Sequence, residues 1–377
     1  MWYNSFGEAE RFTPWEDLAM FTLVRRPRGL RLAVATTLLL MTASTRAQLQ
    51  YRITDLGTLG GPTAGANDIN ENGRVVGWST NAAGVQWGFY YDENNRMFRL
   101  AHWTNDTSEA LGMSNNPEEA CGWGINDDGH RRALYWWFDL IAEFITFGGE
   151  QSLAHDVNDL AAVVGWAHNA DGLRRPVLWS DRMYDLGPLP GGDEAEARAI
   201  NNAMKIVGFS LLRSSSVRGD DRATMWHQGR TIDLGTLGGS SSLAEGINEL
   251  GQVVGVSDVI EAGRTHPRAF LWLPEAAYGL PPGMNNLAAL SAAEQSHAWH
   301  VNDLGAVVGE ATQLSSALTT SAFVWTPEQG MLDLNDLIIT GDDWHLLIAK
   351  SINNQGEIVG TGLLDGITRA YKLTPVP

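Results

Sequence analysis

Cysteine, lysine and long hydrophobic runs are scarce in this chain. Cys121 is the only cysteine, so no intramolecular disulfide can form, and its position in the apolar segment EEACGW predicts a buried, unreactive thiol. Lysine is nearly absent, and the 44 acidic residues outnumber the 26 lysines and arginines. Because a net charge of −18 repels nucleic acid and anionic membranes, neither is an expected partner.

Motifs for catalysis are also missing. The histidines show no HExxH spacing, no serine lies in a GxSxG elbow, and no P-loop is present. The Gly-rich DLGTLGG runs precede strands rather than helices, so phosphate binding by them is not expected. The acidic loops at 126–128 and 219–221 could bind Ca²⁺ weakly, but they lack the EF-hand pattern and solvated turns are the expected reading. No catalytic residue, metal site or cofactor is predicted.

The first 47 residues resemble an export signal. Four arginines between positions 25 and 31 precede an apolar segment at 32–44, and small residues stand at Thr45 and Ala47, where a signal peptidase would cut. The segment is short for a membrane helix, which needs about 20 residues, although a single membrane anchor is the alternative. Residues 1–19 lie outside the pattern, so Met20 is a candidate start. Removing residues 1–47 takes away six arginines and four acidic residues and leaves a net charge of −20.

One unit recurs seven times after residue 50. In its best copy, DLGTLGGSSSLAEGINELGQVVG at 233–255, an asparagine opens a turn and a glycine seven positions later ends a strand. We expect the asparagine to cap the turn, and the glycine to lie where a side chain would collide with a neighbouring strand or blade. The asparagines are Asn70, Asn115, Asn158, Asn201, Asn248, Asn302 and Asn353. The glycines are Gly77, Gly122, Gly165, Gly208, Gly255, Gly309 and Gly360.

The second copy is disguised, because two asparagines compete for its turn. Asn126 is followed by no VVG strand, whereas Asn115 precedes ACG at 120–122 and keeps the spacing of seven. With Asn115 the units follow one another every 43 to 54 residues, and with Asn126 two of the spacings become 56 and 32. Asn115 is therefore the predicted member, and Asn126 falls in a loop.

Each unit carries four short strands. The third ends in a large residue, as in AFLW at 269–272, and the fourth resembles TIDLG at 231–235. Four strands in about 45 residues are typical of a propeller blade. The seventh unit lacks a fourth strand, and segment 51–57 is a fourth strand with no preceding three. These features predict an all-β, seven-bladed β-propeller of residues 48–377, in which the N-terminal strand joins the last blade and closes the ring; a β-solenoid is the rival.

Two repeated side chains have competing interpretations. Trp272 and its equivalents at the ends of the third strands are expected to pack between adjacent sheets. The aspartate of DLG recurs in separate blades, which distributes it around the ring instead of gathering it for metal binding or acid catalysis. Turn capping before glycine is therefore its expected role. These aspartates are Asp55, Asp185, Asp233 and Asp333.

The motifs DLGTLGG, INxxGxVVG and AFLW resemble the HAF-repeat family of extracellular repeat proteins. The resemblance covers residues 51–373 and weakens in the second copy, where VVG is replaced by ACG and DLG is missing. It implies a secreted repeat protein of the propeller type, and it brings no established activity and no catalytic residues.

Arginine is concentrated in the loops between the second and third strands, on what we call the upper face. Five of these arginines directly precede the third strand, where a position set by the repeat predicts a structural partner: Arg132, Arg175, Arg222, Arg268 and Arg369. The irregular remainder, with one histidine, are the predicted ligand-binding residues: Arg131, Arg174, Arg213, Arg218, Arg264 and His266. Because arginine recognises carboxylate and sulfate groups, the expected ligand is an anionic polysaccharide.

The sequence therefore predicts a monomeric binding or structural module at the cell surface or outside the cell, for an anionic glycan or a protein partner. The alternative is an extracellular propeller enzyme, a carbohydrate hydrolase or lyase, with catalytic residues in the upper-face loops. The central channel separates the two. An enzyme should bring two or three carboxylates or a histidine together at its mouth, and a scaffold should not.

Overall fold

The structure, a computed structural model, describes residues 49–101, 107–116, 119–137, 140–212, 221–290, 295–313, 319–341 and 343–376. These residues form seven four-stranded antiparallel sheets, and no α-helix occurs among them. The first strands of neighbouring sheets contact one another around the whole ring. The predicted seven-bladed β-propeller is therefore confirmed. Within the described ranges, no helix is long and apolar enough to cross a membrane.

The strands of each blade follow one another from the axis outward. The chain begins with β1 (Tyr51–Asp55). Blade 1 contains β2 (Gly60–Ile69), β3 (Val75–Asn81), β4 (Gln86–Tyr91) and β5 (Met97–Arg99). Blade 2 contains β6 (Ser108–Met113), β7 (Glu119–Ile125), β8 (Arg131–Trp137) and β9 (Leu140–Glu143). Blade 3 contains β10 (Gly148–Val157), β11 (Val163–Asn169), β12 (Arg174–Trp179) and β13 (Met183–Asp185).

The remaining blades repeat this order. Blade 4 contains β14 (Gly192–Ile200), β15 (Ile206–Leu212), β16 (Asp221–His227) and β17 (Arg230–Asp233). Blade 5 contains β18 (Ser242–Ile247), β19 (Val253–Glu261), β20 (Arg264–Leu273) and β21 (Gly283–Asn286). Blade 6 contains β22 (Gln295–Val301), β23 (Val307–Gln313), β24 (Thr319–Thr326) and β25 (Gly330–Asp333), followed by a 3-10 turn at Leu334–Asp336. Blade 7 contains β26 (Trp344–Ile352), β27 (Ile358–Leu364), β28 (Ile367–Pro375) and β1.

Blade 7 is shared between the two ends of the described chain. Strand β1 pairs antiparallel with β28, and Tyr51 lies opposite Pro375. The N–H of Tyr51 donates to the carbonyl of Leu337 at 2.9 Å, and its carbonyl accepts from the N–H of Ile339 at 3.0 Å. Its side chain is only 2% exposed. The predicted closure of the ring by the N-terminal strand is confirmed.

The repeated glycines allow the two inner strands of each blade to approach closely. At all seven positions a β-carbon would overlap a backbone carbonyl oxygen of the first strand, for example that of Leu243 at Gly255 or that of Glu196 at Gly208. The neighbour that excludes a side chain is therefore the adjacent strand of the same blade. The glycine is a requirement of backbone packing, and it contributes no ligand contact.

The turn asparagines connect neighbouring blades as well as capping their own turns. In blade 4, Oδ1 of Asn201 accepts from the N–H of Lys205 at 3.0 Å, and its Nδ2 donates to the carbonyl of Asn248 in blade 5 at 3.0 Å. The same pair of bonds occurs at six of the seven positions. All six asparagines are buried. Capping alone would be open to aspartate or serine, but the second bond requires the amide donor of asparagine.

In blade 2 the predicted position is displaced by one residue. The amide of Asn70 donates to the carbonyl of Ser114, so Ser114 occupies the place that asparagine holds elsewhere. The reason is a longer turn, since the N–H of Ser114 pairs with the carbonyl of Glu119, five residues on, instead of four. Asn126 lies in a turn between β7 and β8, as predicted.

Asn115 belongs to a second ring, one residue after the first. In this ring each side chain accepts a hydrogen bond from the backbone N–H of the preceding blade, at 2.7–3.2 Å, and all seven bonds are present. The members are Glu71, Asn115, Asp159, Asn202, Glu249, Asp303 and Asn354. The lower end of the channel is thus stabilised by a complete ring of seven bonds and by the asparagine bonds at six of the seven positions.

Replacing Tyr51 with alanine should weaken closure of the ring. Loss of a buried aromatic side chain costs about 3–5 kcal/mol, and here the loss falls on the strand that joins the ends. We expect the midpoint of urea unfolding to fall accordingly. Ile232→Ala, at a 40% exposed position on another outermost strand, is the control and should change little. A Tyr51→Ala protein as stable as this control would contradict the closure argument.

Candidate functional site

Each innermost strand directs one extra side chain toward the axis. In all seven blades the pairing of the first and second strands shifts by one residue directly after a buried alanine. Such a bulge re-aims a side chain. The seven bulged residues, which we call the bulge ring, are Asn67, Leu111, His155, Arg198, Glu245, Trp299 and Lys350. No two are of the same type, although the residue before each is always alanine.

The bulge ring lines the upper of two cavities on the axis. All seven side chains border this upper cavity of about 260 Å³. The lower cavity, of about 170 Å³, is lined by residues of the turns. Asp68, Asp156, Ile247 and His300 border both cavities, and we call the three polar residues among them, Asp68, Asp156 and His300, the floor of the upper cavity.

Arg198 is held between two carboxylates. Its Nη2 lies 3.1 Å from Oε2 of Glu196, and its Nη1 lies 3.7 Å from Oε2 of Glu245 in the next blade. Glu196 also pairs with Nη1 of Arg174. The Nε of Arg198 is buried and has no hydrogen-bond partner. The guanidinium is thus fixed in orientation with one donor unused.

Both carboxylates are ionised despite their burial. Desolvation alone would raise the pKa of Glu245, but Arg198, His297 and Lys350 lower this pKa to about 2. Burial likewise opposes ionisation of Glu196, and hydrogen bonding from His155 with the charge of Arg198 lowers its pKa below the usual value. Each carboxylate therefore serves to orient a cation.

Lys350 is a cation that forms no ion pair within the described residues, although the carboxylates of Glu245, Glu310 and Glu109 act on its charge. Its Nζ lies 3.0 Å from the ring centroid of Trp299, and within the described residues it has no ion pair and no hydrogen-bond acceptor. Burial lowers the pKa of Lys350 to about 8, although the charges of Glu245 and Glu310 oppose this change. The ammonium is therefore available to a ligand in the upper cavity.

Further polar atoms of this cavity lack partners. The indole Nε1 of Trp299 is buried and donates to no acceptor, and the imidazole of His297 is stacked on the indole ring at 4.1 Å. Nε2 of His155 is buried 3.7 Å from Oε2 of Glu196, and burial together with Arg198 lowers the pKa of His155. Asn67 donates to Glu109 at 2.9 Å, while its own side-chain oxygen accepts no bond from the described residues.

The floor residues connect blades. Oδ1 and Oδ2 of Asp156 accept from the N–H groups of Val157 and Ile200 at 2.8 and 2.9 Å. Asp68 accepts in the same way from its own strand and from blade 2, and also from the hydroxyl of Ser351 at 2.7 Å. Burial and the neighbouring Asp68 raise the pKa of Asp156 to about 8. The floor is thus polar, and its side chains are fixed.

The predicted ligand-binding residues lie in different places. Arg174 pairs with Glu194 at 3.1 Å and with Glu196, which connects it to Arg198. Arg131 lies over the ring of Trp123 at 4.5 Å. Arg264 and His266 lie on the extended hairpin of β19 and β20, and neither lines the channel. Arg213 and Arg218 lie outside the described residues.

The five arginines at the repeated position have acidic partners. Arg175, Arg222 and Arg369 pair with the DLG aspartates Asp185, Asp233 and Asp55 at 3.0, 3.9 and 2.6 Å. Arg132 pairs with Glu143 at the same point of blade 2 at 2.8 Å, and Arg268 with Glu261 at 3.0 Å. These ion pairs join the third strand to its neighbours within each blade. The DLG aspartate also caps its turn, as at Gly235, whose N–H donates to Asp233 at 2.8 Å.

Sequence reasoning missed the upper cavity. The missed side chains are His155, Glu196, Arg198, Glu245, Trp299 and Lys350. A signal was present, because the residue directly after the constant alanine of each first strand is different in every copy. Searching for variation only in the loops passed over this strand position.

Within the described residues, no group of three or more His, Cys, Asp or Glu side chains is placed to hold a metal ion. Asn126 caps its own turn by accepting from the N–H groups of Asp128 and His130. The other acidic loop lies largely outside the described ranges.

Neither a protein-family model nor a curated protein matches the chain. The β-propeller domain of the Trilobed protease from Pyrococcus furiosus is similar over 86% of this chain and 93% of that one, at 10% identity and a TM-score of 0.51. The Pyrococcus horikoshii acylaminoacyl peptidase matches 79% of this chain and 49% of its own (9% identity, TM-score 0.46), and the fucose-specific lectin from Aleuria aurantia 75% and 94% (9% identity, TM-score 0.35). At such identities the similarity shows the propeller fold alone.

The floor predicts a pH dependence of stability. Because Asp156 keeps its proton in the folded state up to about pH 8 and loses it near pH 4 when unfolded, its contribution to stability falls as pH rises between these values. Asp156→Ala, which copies Ala199 of blade 4, should remove up to about 1.4 kcal/mol of pH dependence per pH unit in urea unfolding between pH 5 and 7. The exposed Asp171→Ala should retain the native slope. Parallel curves for the native protein and Asp156→Ala would contradict the assignment.

Proposed function

We propose that this protein is an exported binding module that takes an acidic sugar into the upper cavity of its channel. The observation that carries the proposal is the unpaired ammonium of Lys350, close to two other unused donors, Nε of Arg198 and Nε1 of Trp299. Buried donors without acceptors are costly, and a ligand that supplies acceptors removes that cost. An anionic group meets this requirement best.

The remaining groups favour a sugar as the carrier of that anionic charge. The free side-chain oxygen of Asn67 can accept from a hydroxyl. A cavity of about 260 Å³, near the lower limit for ligand sites, suits a small polar group better than a protein surface. This differs from the predicted anionic-glycan site, because the cations now lie on strands around the axis instead of in the loops.

Export is part of the proposal. It is supported by the basic and apolar pattern of the first 47 residues and by the resemblance to the HAF-repeat family. Acidic polysaccharides are abundant outside the cell, so an exported module of this kind would meet ligands of this class. The net charge of −20 that remains without residues 1–47 repels these polymers on average, so binding is expected where donors are concentrated.

Substitution of Lys350 tests the proposed function. Lys350→Met keeps the aliphatic stem and removes the charge, so affinity for acidic oligosaccharides should fall roughly 10- to 100-fold in isothermal titration calorimetry. Lys205→Met, on a lysine that lines neither cavity, is the matched control and should bind like the native protein. Both variants should unfold at the native urea concentration. Equal affinity of Lys350→Met and native protein would exclude the upper cavity as the site.

A second candidate is an extracellular enzyme acting on acidic carbohydrate at the same place. It is favoured because Glu245 and His155 line the upper cavity together with Lys350, whose pKa is about 8, and Glu196 lies beside His155. Mass spectrometry of acidic oligosaccharides incubated with the protein separates the two candidates. A binding module returns them intact, whereas a hydrolase adds water on cleavage and a lyase leaves an unsaturated product.

A further inference from the structure

We infer that the upper cavity takes only the terminal unit of an acidic glycan, end-on, and does not bind internal units of the chain. This inference rests on the proposed function and concerns how the ligand enters. It follows from three features of the site: its position on the axis, its floor and the charge below the floor.

The position excludes a side entrance. The upper cavity is bordered by one bulge residue from each of the seven blades, and blades 7 and 1 are in contact like every other pair. Strand β1 completes blade 7, so its sheet is not left short of a strand. A polymer therefore cannot lie across the site as in an open cleft. It must approach along the axis, from the upper face.

The floor prevents a chain from passing through. The carboxyl group of Asp156 is held by two backbone N–H groups, and that of Asp68 by two backbone N–H groups and the hydroxyl of Ser351. Nδ1 of His300 lies 3.1 Å from the carbonyl oxygen and 3.3 Å from the backbone nitrogen of Ile352 in the next blade. Turning these side chains aside would break bonds that connect neighbouring blades. An entering chain thus stops at the level of the floor.

The negative charge below the floor also opposes entry of an acidic chain into the lower cavity. The lower cavity is bordered by the carboxylates of Glu71, Asp159, Glu249 and Asp303. These side chains accept backbone hydrogen bonds, and no lysine or arginine lies among the residues that line the cavity, so they repel an acidic chain. Above the floor, the unused donors of Lys350, Arg198 and Trp299 attract the same charge. Together these features favour one acidic unit held above the floor, with the rest of the chain leaving through the upper mouth.

The number of proteins bound per glycan chain tests this inference. Native protein is titrated with oligouronates of increasing length, from dimer to hexamer to dodecamer, and the stoichiometry is read by calorimetry and by light scattering of the complex. An oligouronate has two ends, so if only ends enter, each chain binds one protein, or at most two, at every length, and affinity per chain does not increase beyond the dimer. If internal units bind, the dodecamer carries several proteins and its apparent affinity rises with the number of available positions.

The two proposals fail in different ways. Several proteins per dodecamer would overturn end-on binding and leave the acidic-sugar site in place. Absence of binding by any oligouronate would overturn the proposed function, and the present inference with it. Lys350→Met serves as the control for site identity, because its weaker binding at every length places the bound end at the upper cavity. If Lys350→Met binds the oligouronates as the native protein does, the glycan binds at another surface, and this result would also contradict the inference.

Discussion

The buried turn asparagine is the interaction on which this ring depends. Its oxygen closes the hairpin of its own blade, and its amide donates to the backbone of the next, so one side chain fixes both the local turn and the spacing between blades. Repeated around the axis, these bonds hold the first strands in one register. A second ring, formed by the following side chains, adds seven further bonds. The channel has a defined shape because of these two rings.

A division of roles between neighbouring positions follows from this scaffold. The alanine and the glycine of each blade permit the close contact of its inner strands, and neither can change without disturbing the backbone. The bulge residue, which directly follows the alanine on the first strand, faces the axis and is not constrained by this backbone contact. The chain uses that freedom fully, with seven different side chains at seven equivalent points. Chemistry is thereby placed on rigid strands and not on loops, which gives fixed geometry to each group.

Within the channel, charge is arranged to leave donors in excess. Glu196 and Glu245 neutralise and orient Arg198, while Lys350 rests on an aromatic face and keeps its hydrogen-bonding capacity. Below, the floor carboxylates are engaged by backbone N–H groups. The channel thus changes from donor-rich above the floor to acidic below it, within an acidic protein. That gradient favours an anionic ligand at one level and disfavours it at the next.

By itself the sequence determined the fold class, the number of blades and the closure of the ring, because all three follow from repeated spacing and from the missing fourth strand of the last unit. The sequence also predicted that a side chain at the repeated glycines would collide with a neighbouring segment. It did not show that this segment is the first strand of the same blade. The position of the turn residue in blade 2 could not be predicted correctly. Its turn is one residue longer than the others, so Asn115 keeps the spacing of seven to Gly122 although Ser114 occupies the equivalent position in the structure. Nor was the site predicted, since the variable residue after the constant alanine gives no indication by itself that a bulge turns it toward the axis. Only the tertiary structure brings His155, Arg198, Glu245, Trp299 and Lys350 together, because their proximity arises from the circular arrangement of blades and not from their separation along the chain.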